Sequence, residues 1–212
     1  MYRDPFDIFR LFFSLFQDLP PLPRTIYIPG AVLVTSYPVL AVMLGGDGNG
    51  HAMVTAFLIA LSVRIALGFE GMVRRMLMQY SVSRTVVLAL VFSIAPLAVL
   101  ALASDPLWCQ RMQSAFYVII GGVFFADYLR GRSTTAATFW PAPEMQGHLM
   151  GLTRMMVVYN FAFLVLNETM IRSVDVSHWL LFWAVLPVIG HTVLRALVLT
   201  VINADDDQGH PV

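Results

Sequence analysis

Six stretches of this chain, approximately 26–44, 52–69, 86–103, 114–129, 149–171 and 179–202, carry scarcely any charge. That pattern leaves few folds open. About 20 consecutive apolar residues make one helical crossing of a bilayer. Inside the hydrocarbon every backbone N–H and C=O needs a partner, and a helix provides one within its own segment. Composition closes off the soluble alternative. Hydrophobic residues make up 58% of the 212 and charged residues only 12%, against about a quarter charged in an ordinary soluble domain. The expected fold is all-α: a polytopic membrane helix bundle of about six transmembrane helices. The fourth stretch is short and would borrow interfacial residues such as Trp108 or Tyr128.

Arginine placement sets the expected orientation. Arg3, Arg10 and Arg24 precede the first span. Arg74, Arg75 and Arg84 fall between spans two and three, and Arg130 and Arg132 between four and five. The alternate loops carry one arginine or none, with Arg111 and Arg172 alone in theirs. By the positive-inside rule both termini face the cytoplasm. Cys109, the single cysteine, then falls in an outer loop, open to an impermeant thiol reagent. It excludes an internal disulfide.

Three regions follow. Residues 1–22 read as an amphipathic interfacial helix. Asp7, Arg10, Ser14 and Gln17 recur at helical spacing, and Phe6, Phe9, Phe12, Phe13 and Phe16 fill the other face. Such a helix lies on the inner leaflet or packs on the protein's own cytoplasmic side. Residues 23–203 form the transmembrane bundle, and 204–212 a polar, unstructured cytoplasmic tail. The start lacks the pattern of a cleavable signal, so the first span is expected to direct its own insertion.

Charged residues inside spans are costly and are site candidates by default. Arg64 lies in span two, Asp127 in span four and Arg195 in span six. The arginines either snorkel to the interface or one of them pairs with Asp127 and fixes helix register. Glu168 precedes Arg172 by one helical turn, the favoured order for an i,i+4 pair that finishes a helix at the surface. Of the five histidines, only His191 lies well inside a span. It is a weak candidate for a haem or chlorophyll ligand, or it hydrogen-bonds a neighbouring helix. His51 and His178 open spans on the outer side, without metal-site spacing. No nucleophile elbow, phosphate loop or dinucleotide fingerprint occurs, so no catalytic residue, metal or cofactor is expected. The "GG" at 121–122 suits a close helix approach. Trp108, Trp140 and Trp179 read as aromatic-belt residues. Net charge is zero, which gives no footprint for nucleic acid.

"NETMIR" followed by "HWLLFWAVLPVIGHTVLRALVL" resembles the C-terminal end of the intracellular septation protein A family, the inner membrane-spanning YciB-type proteins. In that family a span ends in Asn-Glu-x-x-Trp-Arg, and Trp-x-x-Phe-Lys opens the last span. Asn167, Glu168, Arg172, Trp179 and Phe182 match. Ile171 and Trp183 depart from the pattern. The resemblance covers roughly 52–202. It implies a non-enzymatic protein of the bacterial inner membrane, serving septation or cell-envelope maintenance. Its partners would be membrane lipids and other integral membrane proteins. Two other readings compete. One is an accessory subunit or assembly factor of a respiratory or photosynthetic complex. The other is a small transporter using Arg64, Asp127 and Arg195 as a polar path.

Overall fold

The computed structural model describes residues 22–44, 50–77 and 80–208. The expected amphipathic helix at 1–22 lies almost wholly outside them. The rest is helical. After a 3-10 turn at Arg24–Ile26 come α1 (Ile28–Met43), α2 (His51–Leu77), α3 (Val82–Ala103), α4 (Pro106–Leu129) and the short α5 (Thr134–Phe139). A second 3-10 turn, Pro143–His148, leads into α6 (Leu149–Ser173), and α7 runs over Val176–Gln208. Five helices are long and apolar enough to cross a membrane, and α1 is a shorter apolar one. Its 16 residues reach about 24 Å at 1.5 Å per residue, less than the ~30 Å hydrocarbon core. The chain is an all-α bundle of membrane helices.

Helix ends differ from the sequence reading in two places. The fourth span starts at Pro106, well before 114. Asp105 accepts the Leu107 N–H on Oδ1 at 2.8 Å and the Trp108 N–H on its carbonyl at 3.1 Å. An acidic cap followed by proline at the first helical position is a strong start signal. At the other end of the chain, α7 continues through Gln208, so most of the tail is helix backbone. No glycine or proline follows Gly190 until Gly209.

The chain divides into two compact units, and α4, α6 and α7 contribute to both. One unit holds Pro23–Phe116 and Leu164–Pro187. Its core is a stripe of α2: Met53, Ala56, Phe57, Ala60 and Leu61, at the three-and-four spacing of one helix face. Trp179 and Trp183 of α7 close on Phe57, with ring centroids 5.8 and 5.0 Å away. Leu33, Leu100 and Cys109 complete it. At Gly30 of α1 a Cβ would collide with the Ala184 carbonyl oxygen of α7. Only glycine lets those backbones meet.

The other unit is built from Tyr117–Phe163 and the chain from Val188 on. Phe124, Ala136, Leu149, Leu152, Met155 and Met156 form its core. Gly121 receives Asn160, whose Cβ lies 3.0 Å from where a Gly121 Cβ would stand, while Gly122 has nothing within 4 Å. The double glycine thus serves a close approach through its first member.

Candidate functional site: an interhelical polar clamp

The polar residues that converge lie in the first unit. Gln110, Gln113 and Ser114 share one face of α4, at i, i+3 and i+4, and all are buried. Asn167 of α6 has no exposed surface. Its Nδ2 donates to the Gln110 carbonyl at 3.1 Å and to Ser114 Oγ at 2.9 Å. Its Oδ1 accepts from Trp179 Nε1 at 3.1 Å. Ser114 Oγ donates to Glu168 Oε1 at 2.6 Å. One turn further along α7, Trp183 Nε1 donates to Gln113 Oε1 at 3.2 Å.

Chemistry fixes the direction of this chain. An indole nitrogen only donates, so the Asn167 oxygen must face Trp179 and its amide nitrogen must face Ser114. The serine hydroxyl already accepts from Asn167, so its proton goes to Glu168. Three donors in series, on α7, α6 and α4, end on one carboxylate oxygen. Inside a membrane bundle each such bond contributes about 0.6 kcal/mol, with about 1.7 as an upper value. The larger constraint is that breaking one bond orphans a buried group.

Glu168 therefore reaches across to α4. It makes no ion pair with Arg172, which is exposed, among the described residues. The surface pair expected from the i,i+4 spacing gives way because Ser114 offers a partner in the interior. Trp179 is not a belt residue: it is fully buried, and so is Trp183 at 1% exposure. Trp108, at 53%, does fit a belt position. Phe182 is half-buried against the first core. Arg64 holds its guanidinium over the Trp183 ring, 5.7 Å from the centroid, a cation–π contact.

Asp127 has a local partner. Its Oδ2 accepts from the Thr135 N–H at 2.7 Å, at the start of α5, where Ser133 makes no side-chain cap. That contact supplies one of the acceptors a helix start lacks. Arg195 is half-buried and His191 exposed on α7. His51 and His178 belong to no cluster of three or more possible metal ligands among the described residues.

Between α6 and α7, Asp175 caps the last helix. Its Oδ1 accepts the His178 N–H at 2.9 Å and faces His178 Nδ1 at 2.8 Å. The His178 backbone N–H, then its ring, hold this carboxyl below its usual value of 3.8. A depressed folded pKa means the contribution is present above 3.8 and is lost as pH falls through the folded value. Asp175→Ala is thus expected to lower the unfolding temperature at neutral pH, and the gap from the native chain should narrow in acid. A gap that widens in acid would contradict the assignment.

Cys109 does not lie in an exposed loop. It sits in the first turn of α4 and is fully buried in the first core, because the helix starts at Pro106. An impermeant maleimide is expected to leave the native protein unlabelled from either side and to label it after denaturation in dodecyl sulfate. Rapid labelling of the native protein would place α4 wrongly.

The sequence reading missed Gln110, Gln113 and Ser114. The signal was present, three polar residues on one helical face in "CQRMQS", but it is visible only once the helix begins at 106. Compared with protein families, curated proteins and solved structures, the chain shows no match.

Proposed function

We propose that this chain is a non-enzymatic, multi-pass protein of a bacterial inner membrane. It serves septation or envelope maintenance by holding contacts with other integral membrane proteins and with lipids. One observation supports the reading most. Asn167, Glu168 and Trp179, three of the residues that carry the septation-family resemblance, are members of one hydrogen-bonded clamp. Their role is to set how α4, α6 and α7 lie together, which fits a protein acting through helix contacts.

With α1 counted as a sixth crossing beside the five longer helices, arginine placement supports cytoplasmic termini. Ser177 is exposed beside the α6–α7 turn. In a Cys109→Ala background, Ser177→Cys should label from outside the inner membrane; labelling only in inverted vesicles reverses the topology. The function is tested by deleting the gene in its host and scoring cell length and septum placement, with complementation by the native chain and by Asn167→Ala. Normal division and normal envelope integrity after deletion would refute the reading.

His191 favours a second reading, an accessory subunit of a larger membrane complex. It stands exposed on α7, where a pigment or haem of a neighbouring subunit has access. An absorption spectrum of the gently purified complex with a His191-dependent band would support it, and a spectrum of protein alone would count against it.

A further inference from the structure

Glu168 and Arg111 carry opposite charges at one depth on neighbouring helices. Asn167 bonds both the Gln110 carbonyl and Ser114, and Ser114 bonds Glu168. That register sets residues 110–114 of α4 beside 167–168 of α6. Arg111 lies five residues from Pro106 and Glu168 five from Ser173. Each is therefore about 7.5 Å inside its helix end. On α4, Gln110, Gln113 and Ser114 are buried, while Arg111 is exposed with Leu107 and Trp108. On α6, Asn167 is buried and Glu168 is half-buried at the edge of that face. Residues 111 and 168 each follow a buried neighbour by one position, about 100° around the helix. In antiparallel helices those two edges lie on the same side of the seam.

The two charges do not meet within the chain. Glu168 accepts the Ser114 hydroxyl on Oε1, and among the described residues Arg111 makes no ion pair. The donor chain ending at Oε1 holds the carboxylate in place and leaves Oε2 to be matched. A charge below the membrane surface is costly without a partner. We propose that the α4–α6 seam is the contact face of a homodimer, in which Glu168 of each copy pairs with Arg111 of the other. A two-fold axis along the membrane normal preserves depth, so only residues at one level can pair across it. A patch with opposite charges at one level is self-complementary under that axis. Arg172 stands one turn beyond Glu168, in the last turn of α6, and serves as the control for a contact made nearer the helix end. The proposal does not depend on the septation reading.

The test uses the full chain in lipid vesicles. Association is read by energy transfer between two labelled populations as lipid dilutes the protein. The native chain is expected to dimerise. Glu168→Arg and Arg111→Glu should each weaken dimerisation roughly a hundredfold, since each sets like charges face to face. Mixing the two variant chains should restore it, because both cross pairs are then opposite in sign. A role confined within one chain would leave the mixture as weak as either variant alone. Arg172→Gln should change nothing. Should a reversal unfold the chain, Glu168→Gln and Arg111→Gln replace it, each with an expected loss of about tenfold. A monomeric native chain, neutral variants that dimerise normally, a mixture without restoration or a loss with Arg172→Gln would each overturn the proposal.

Discussion

Trp179→Ala is expected to lower the unfolding free energy by about 3 kcal/mol, the low end for removing a buried tryptophan. The low end applies because the unfolded membrane chain keeps its side chains in an apolar medium, which shrinks the transfer contribution. What remains is the cavity beside Phe57, 5.8 Å from the lost ring, and an orphaned Asn167 Oδ1. Trp179→Phe separates the two. It keeps most of the packing and deletes the Nε1–H, and should cost about 1 kcal/mol. In a double-mutant cycle, Trp179→Ala and Asn167→Ala should couple by about 0.6–1.7 kcal/mol. Reversible unfolding in mixed detergent measures all three. A Trp179→Ala variant as stable as the native chain would mean the indole faces lipid, as a belt residue would.

At Gly30, a single methyl group should act in the opposite direction from its usual effect in a helix. Glycine to alanine normally stabilises a helix interior by up to about 1 kcal/mol. Here the new Cβ meets the Ala184 carbonyl oxygen, with the carbonyl carbon and Cα each 3.1 Å away. All three are backbone atoms, so no rotamer change relieves them, and α1 must move off α7. Overpacking of this kind costs about 1–3 kcal/mol. Gly68 of α2 is the control. Nothing lies within 4 Å of where its Cβ would stand, so Gly68→Ala should be neutral or stabilising. Equal effects at the two sites, read by thermal unfolding in one detergent, would remove the close approach of α1 and α7.

The polar residues show where sequence reading stops. Glu168 stood out because a carboxylate near the end of an apolar run is conspicuous, and Asn167 entered only through the family resemblance. Their partners did not. Ser114 lies 53 residues from Asn167 along the chain, and Trp183 lies 70 from Gln113. Local periodicity carries no information across such distances. Arg172, four residues from Glu168, was the partner that spacing could offer, and a helical spacing describes only one helix.

The sequence by itself determined that this chain is a bundle of membrane helices. Long uncharged runs exclude other backbones, because hydrocarbon offers no partner for a free N–H or C=O. The starts of α4 and α7 are fixed locally by Asp105 with Pro106 and by Asp175, since capping acts within a few residues, but the apolar runs alone put them at 114 and 179. Tertiary structure decided which faces meet. Trp179 is an interfacial residue by position and a core residue by packing, because the α2 stripe around Phe57 lies where its ring can close on it. Glu168 is a surface charge by spacing and the end of an interior donor chain by contact, because α4 brings Ser114 within 2.6 Å. Apolar surface gains little by choosing protein over lipid. Contacts between helices are therefore set by shape and by hydrogen bonds, and both exist only when two helices have already met.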